Sequence, residues 1–122
     1  MSRSWRLVVG AIPPAELRGN SRAHWGKKNQ PRKDWKQSGY DHGMHDVGAV
    51  LKRIRITYTF YHWKNIDRDN LAIGMKSWQD GLVKAGVVPD DSPDRVVIGE
   101  HQFVKQAHRG ESRTEILIEE IQ

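Results

Sequence analysis

An α+β domain, a mixed sheet with two helices packed on it, is the fold class this chain predicts. Three observations carry it. Residues 53–63 alternate strictly, with Ile54, Ile56, Tyr58, Phe60 and His62 on one side and Arg53, Arg55, Thr57 and Thr59 on the other. An amphipathic helical stretch follows within a few residues and stops at Gly86. Two further strand-like runs close the chain. At 122 residues there is length for one domain with a real core, and none for a second.

From the N-terminus, residues 5–12 (WRLVVGAI) read as a strand halted by Pro13-Pro14. Residues 15–31 show no period, and Gly19, Asn20, Ser21 and Gly26 predict a long loop of the kind that often carries function. Pro31 suits the first turn of a helix in which Tyr40, Met44, Val47 and Leu51 recur at helical spacing, weakened by Gly39, Gly43 and Gly48. The strand at 53–63 then delivers the chain to Asp67. In the next helix Leu71, Met75, Trp78, Leu82 and Ala85 form one apolar stripe. Residues 95–105 read as a strand, 108–112 as a turn and 113–121 as a final strand, with the last two strands expected to pair as a hairpin. The element order is β-α-β-α-β-β, without internal repeats or low-complexity tracts.

The chain has no cysteine. Disulfides and thiolate metal sites are excluded, and a reducing compartment is expected. No apolar run approaches a membrane span and the N-terminus lacks a signal-peptide core, which together predict a cytoplasmic protein. The formal charge of +5 conceals an asymmetry: residues 1–64 carry 13 Lys and Arg against 4 Asp and Glu, whereas residues 65–122 carry 7 against 11. A basic half beside an acidic cluster suits an enzyme acting on a polyanion, cations gathering phosphates and carboxylates holding a metal where bonds break. A solvated surface of uneven charge is the plainer account. The basic side chains concentrate at Arg22, Lys27, Lys28, Arg32, Lys33 and Lys36, interleaved with Trp25 and Trp35 and opposed only by Asp34.

The acidic residues gather around the central helix. Asp67 and Asp69 stand two apart where the long strand ends, so in extended backbone they point the same way. On a helical wheel Lys76 and Asp80 fall within about 20° of Asp69, opposite the apolar stripe. A second pair, Asp90 and Asp91, follows Gly86. Carboxylates brought together without cations repel one another, and a bound divalent ion relieves the repulsion. An all-oxygen donor set selects a hard ion, Mg²⁺ or Mn²⁺. Asp67, Asp69 and Asp91 are therefore the candidate metal ligands, and Lys76 the candidate contact to a scissile phosphate. For Asp91 to join them, the loop after a helix of about 16 residues, roughly 24 Å long, must fold back across the sheet or reach across a dimer. Each part has a simpler explanation by itself: Asp69 or Asn70 as a helix cap, Asp90-Asp91 as a turn before Ser92-Pro93, Lys76 as the partner of Asp80. The combination is what points to a metal site.

Asp-x-Asp-Asn-Leu at 67–71, Lys76, Asp80-Gly-Leu at 80–82, Lys-Ala-Gly at 84–86 and Asp90-Asp91, in that order, resemble the RusA family of Holliday-junction resolvases, which phages and prophages often carry. The likeness is most specific over 67–91 and extends more loosely to Pro13-Pro14, to Asn20-Ser21-Arg22 and to the closing strands. Between the Asp-x-Asp-Asn and the lysine this chain runs longer than the compact family spacing, so Lys76 is matched through Asp80. Ile66 stands where a basic residue is common. The resemblance implies a small homodimeric, Mg²⁺-dependent endonuclease that nicks four-way DNA junctions symmetrically. It implies that Asp67, Asp69 and Asp91 are metal-binding catalytic carboxylates, that Lys76 is the essential lysine and that Asn70 supports them. Arg22, Lys27, Lys28, Arg32, Lys33 and Lys36 would then hold backbone phosphates, with Trp25 or Trp35 near the branch point unless they belong to the core.

Two other functions compete with this one. His42 and His45 lie one helical turn apart, and His24, His62, His101 and His108 complete the histidines, but no His-Glu-x-x-His spacing exists and scattered surface or core histidines explain them better. From a different class, the chain would be a catalytically silent module that binds branched DNA. Carboxylates clustered beside DNA argue against it, since a pure binder gains nothing from them.

Overall fold

The computed structural model describes residues 3–122. The alternating stretch forms strand β2, Ile54–His62, and its Ile54, Ile56, Tyr58 and Phe60 are buried to 2% exposure or less. On one side β2 pairs antiparallel with the last strand, β5 (Arg113–Glu120), whose Thr114, Ile116 and Ile118 face the same core. Beyond β5 lies β1 (Ser4–Val9), also antiparallel. On its other side β2 pairs in parallel with two short strands in succession, β3 (Val96–Ile98) and β4 (Gln102–Lys105). The sheet is mixed, its order is β1-β5-β2-β3 with β4 also on β2, and the α+β class is as expected.

Two expectations about the C-terminal strands need correction. The run at 95–105 is not one strand. Ile56 pairs with Ile98 but Thr59 with Gln102, so Thr57 and Tyr58 oppose three residues, Gly99 to His101, and the edge carries a one-residue bulge. Nor do the last two strands form a hairpin, because β2 lies between them. β4 exposes Gln102, Val104 and Lys105, whereas β5 alternates apolar residues along the whole of β2 and matches that strand's buried face.

The helices also begin and end elsewhere than expected. Helix α1 spans Trp25–His42, so residues 25–30 leave the predicted loop. Its first turn is capped by His24, whose Nδ1 accepts the Gly26 N–H at 3.2 Å, and Pro31 sits inside the helix rather than at its start. The helix runs into a π-turn, Gly43–Val47, that Gly48 stops with φ 58°. Val47 and Leu51 are buried but Met44 is exposed, so the apolar repeat at 40–51 does not trace one helical face. The second helix divides at Met75 into α2 (Arg68–Gly74) and α3 (Lys76–Lys84). Leu71, Met75, Trp78 and Leu82 remain buried across the break, as the stripe predicted. Among the described residues no helix is long and apolar enough to cross a membrane.

α1 crosses α3 at backbone contact. A Cβ on Gly39 would lie 1.9 Å from the Trp78 carbonyl oxygen, and one on Gly81 would lie 2.1 Å from that of Lys36. The glycines that weaken α1 as a helix are what let it approach α3. Trp78 is fully buried at this crossing and its indole N–H donates to Ser38 Oγ at 3.1 Å. Gly39→Ala therefore lowers stability by about 3 kcal/mol. Gly26→Ala, in the same helix but open to solvent, raises it by up to about 1 kcal/mol. Urea denaturation of the two variants measures the contrast, and equal effects would contradict the packing described.

Candidate active site

The acidic segment after β2 is organised by a helix cap. Asp67 is the N-cap of α2 in extended conformation, and its Oδ1 accepts the Asp69 N–H at 2.8 Å. Asp69 is already in the first turn, so the two carboxylates are neighbours through the cap, not through strand alternation. The cap is Asp67, not Asp69 or Asn70. Both carboxylates are exposed at the positive end of the helix, and neither has an ion-pair partner among the described residues.

The other group forms at the start of α3. Lys76 Nζ donates to Asp80 Oδ1 at 3.1 Å, one turn on, and also to Asp91 Oδ2. Asp91 reaches Lys76, though not Asp67 and Asp69 as one metal-binding group, because the chain reverses after α3. The break at Met75 leaves α3 only nine residues long. At its end Gly86 takes φ 85°, Gly86 N–H bonds to Val83 O, and Val87 N–H bonds to Leu82 O at 3.2 Å, a Schellman motif that reverses the chain. Val87 and Val88 then bury, anchoring the return. Within the acidic pair the tasks divide. Asp90 Oδ1 accepts the Ser92 N–H at 3.0 Å and makes the turn, while Asp91 faces the lysine. The hydrogen bond from Lys76 holds the Asp91 carboxyl below its ordinary value, and the same bond holds the Lys76 ammonium above its own.

A cavity of about 420 Å³ opens beside Lys76. Ala72, Ile73 and Ile98 wall it, and Tyr58, Lys76, Gln79 and His101 supply its polar edge. Buried Tyr58 has its phenol pushed far up by desolvation, so it keeps its proton and donates to Gln79 Oε1 at 2.9 Å. His101, on the bulge, accepts the Tyr58 backbone N–H through Nδ1 at 3.2 Å and stacks on the Tyr58 ring with centroids 4.9 Å apart. Arg68 Nη1 donates to the His101 carbonyl at 3.1 Å, and Asp69 is close enough to favour protonation of the imidazole. Sequence spacing gave no sign of this histidine, because the bulge that aims it is invisible to a period-two pattern.

Of the basic residues singled out, Lys28 and Arg32, one turn apart on α1, line a smaller hollow of about 150 Å³ that also reaches Lys76. Arg22, Lys27, Lys33 and Lys36 are exposed but do not line it. Trp35 is buried and belongs to the core, whereas Trp25 is 68% exposed at the start of α1. A larger cleft, about 1030 Å³, lies elsewhere, between Arg3, Arg53, Arg95 and Glu120. Its arginines are committed to internal partners: Arg3 to Glu120 at 3.2 Å, Arg53 to the Gln122 carbonyl at 2.7 Å and Arg95 to the Lys52 carbonyl at 3.0 Å. Size therefore does not make it the better site.

The oxygen-only donors at Asp67, Asp69 and Asp91 suit a hard cation in their chemistry. Among the described residues, no three His, Asp or Glu side chains are drawn together as a metal-binding group, and Asp91 is engaged by Lys76. No family model matches the chain, and no curated protein matches it at a significant level.

Burial holds the His101 imidazole below its ordinary value, so at neutral pH Nδ1 is free to accept from Tyr58. The unfolded chain takes up the proton at higher pH than the folded one. The contribution to stability is thus complete above the ordinary value of about 6.5 and is lost as pH falls below it. His62, likewise held down by burial, adds a loss of the same sign. Chemical denaturation at pH 7.5 and 5.5 should show this fall, and His101→Asn should diminish it without abolishing it.

Proposed function

We propose that this protein is a Mg²⁺-dependent, structure-selective endodeoxyribonuclease of the RusA type, a homodimer that resolves Holliday junctions or related branched DNA by paired symmetric nicks. The observation that carries this is the return of Asp91 to Lys76 at the edge of a cavity that Lys76 lines. A chain that needed only a turn at Asp90-Asp91 would not require the second carboxylate to meet a lysine from the other end of α3.

Asp67, Asp69 and Asp91 would hold the cation, which supplies Lewis-acid activation of water and charge neutralisation at phosphorus. Lys76 donates to a non-bridging phosphate oxygen, where negative charge grows as water attacks phosphorus. The P–O3′ bond breaks, leaving a 5′-phosphate and a 3′-hydroxyl. Asp80 keeps the ammonium in place when Asp91 turns to other duties. Lys28 and Arg32 extend the positive surface from Lys76 along the DNA backbone. Two copies about a two-fold axis match the symmetry of a four-way junction.

A second reading, a silent module that binds branched DNA, is favoured by one observation: Asp91 is already neutralised by Lys76. A synthetic mobile junction and a linear duplex of equal length, incubated with Mg²⁺ or EDTA, separate the two. Paired nicks confined to the junction, absent in EDTA and reduced about 100-fold or more in Asp91→Asn, are expected. Junction binding without cleavage would favour the silent module, and equal cutting of both substrates would indicate a general nuclease.

Metal binding has its own readout. Mg²⁺ at 100 times its Kd should stabilise the protein by about 2.7 kcal/mol, and Asp67→Asn should remove most of that gain. The double variant Lys28→Gln, Arg32→Gln should lower the slope of log affinity for duplex DNA against log salt by about 2. An unchanged slope would remove this face of α1 from the DNA path.

A further inference from the structure

We infer that His101 is a further substrate-contacting residue of this site, its Nε2–H donating to the phosphodiester from the sheet side of the cavity that Lys76 lines from the helix side. The inference rests on the nuclease reading and adds a residue to it.

The local structure is built around this imidazole at the expense of a regular sheet edge. Had β3 continued into β4 without interruption, a backbone carbonyl would have accepted the Tyr58 N–H. Instead the pairing slips by one residue and the ring Nδ1 accepts that N–H at 3.2 Å. The slip is close-fitting: a Cβ on Gly99 would stand 2.1 Å from Thr57 Oγ1, so a larger residue there would force the Thr57 side chain to move. Because Nδ1 accepts, the proton of the neutral ring is on Nε2, which makes that atom a donor. Stacking on Tyr58 limits rotation of the ring, and Tyr58 is in turn held by Gln79. Arg68 ties the His101 carbonyl to the segment that bears Asp67 and Asp69. A donor fixed in this way, on the wall of a cavity that also contains an ammonium, is arranged for an anionic oxygen.

His101→Asn tests the assignment. The Asn Oδ1 occupies the place of Nδ1 and still accepts the Tyr58 N–H, but no donor replaces Nε2–H. On a synthetic four-way junction with Mg²⁺, kcat should fall about 100-fold, with KM changed less than about threefold and the thermal midpoint retained. His101→Ala, which also loses the bond to Tyr58, should lose stability in addition. In the unsubstituted protein, with Ca²⁺ replacing Mg²⁺ so that the DNA stays whole, the His101 imidazole resonances should shift when junction is added. A well-folded His101→Asn cutting within twofold of the unsubstituted protein overturns the assignment, as do unchanged imidazole resonances in the DNA complex. An unsubstituted protein that cuts no DNA under any metal condition overturns the nuclease reading itself, and this inference with it.

Discussion

The contact of α1 with α3 is the constraint on which the candidate site depends. Two backbones meet where Gly39 and Gly81 leave no side chain between them, and Trp78 is fixed in the core at the same point. That contact sets the height of α3 above β2. Lys76 stands at the first residue of α3 and Asp80 one turn later, so their positions over the sheet follow from it. Dense interiors transmit such shifts, because they have few voids in which to absorb them. A small displacement of the helix pair would move the ammonium relative to the carboxylates at the start of α2, which follow directly from the end of β2.

Charge is distributed around the cavity in two unlike ways. Asp91 and Asp80 share one ammonium, so that group retains a single net negative charge. Asp67 and Asp69 carry their charge into solvent with only a helix N-terminus to offset it. Because Lys76 has two carboxylate partners, loss of the contact to Asp91 would still leave it held by Asp80.

What the sequence disclosed follows from which forces leave a periodic trace. The strict alternation at 53–63 and the stripe Leu71-Met75-Trp78-Leu82 report burial, and both became core. A Schellman turn at Gly86 with valines behind it returns Asp91 to Lys76, but among the described residues Asp91 is not drawn into one metal-binding group with Asp67 and Asp69. The break at Met75 left no trace, because the apolar spacing continues through it. The early start of α1 was hidden by an unusual cap, histidine, and by a proline that the helix accommodates in its interior. The hairpin was the natural inference for adjacent strands, but β2 offered β5 a longer apolar match than β4 did. His101 was out of reach because one extra residue in an edge strand reverses which side chain faces inward.

The slipped edge has a consequence for how this protein meets copies of itself. An open sheet margin invites a foreign strand to zip onto it, and long regular margins are the hazardous ones. Here three paired residues give way to a jog and then to four more, so no incoming chain can stay in register past the jog. The same kink that aims an imidazole closes that flank to cross-molecular sheet growth, leaving β1 as the one margin of the described sheet along which such growth could run.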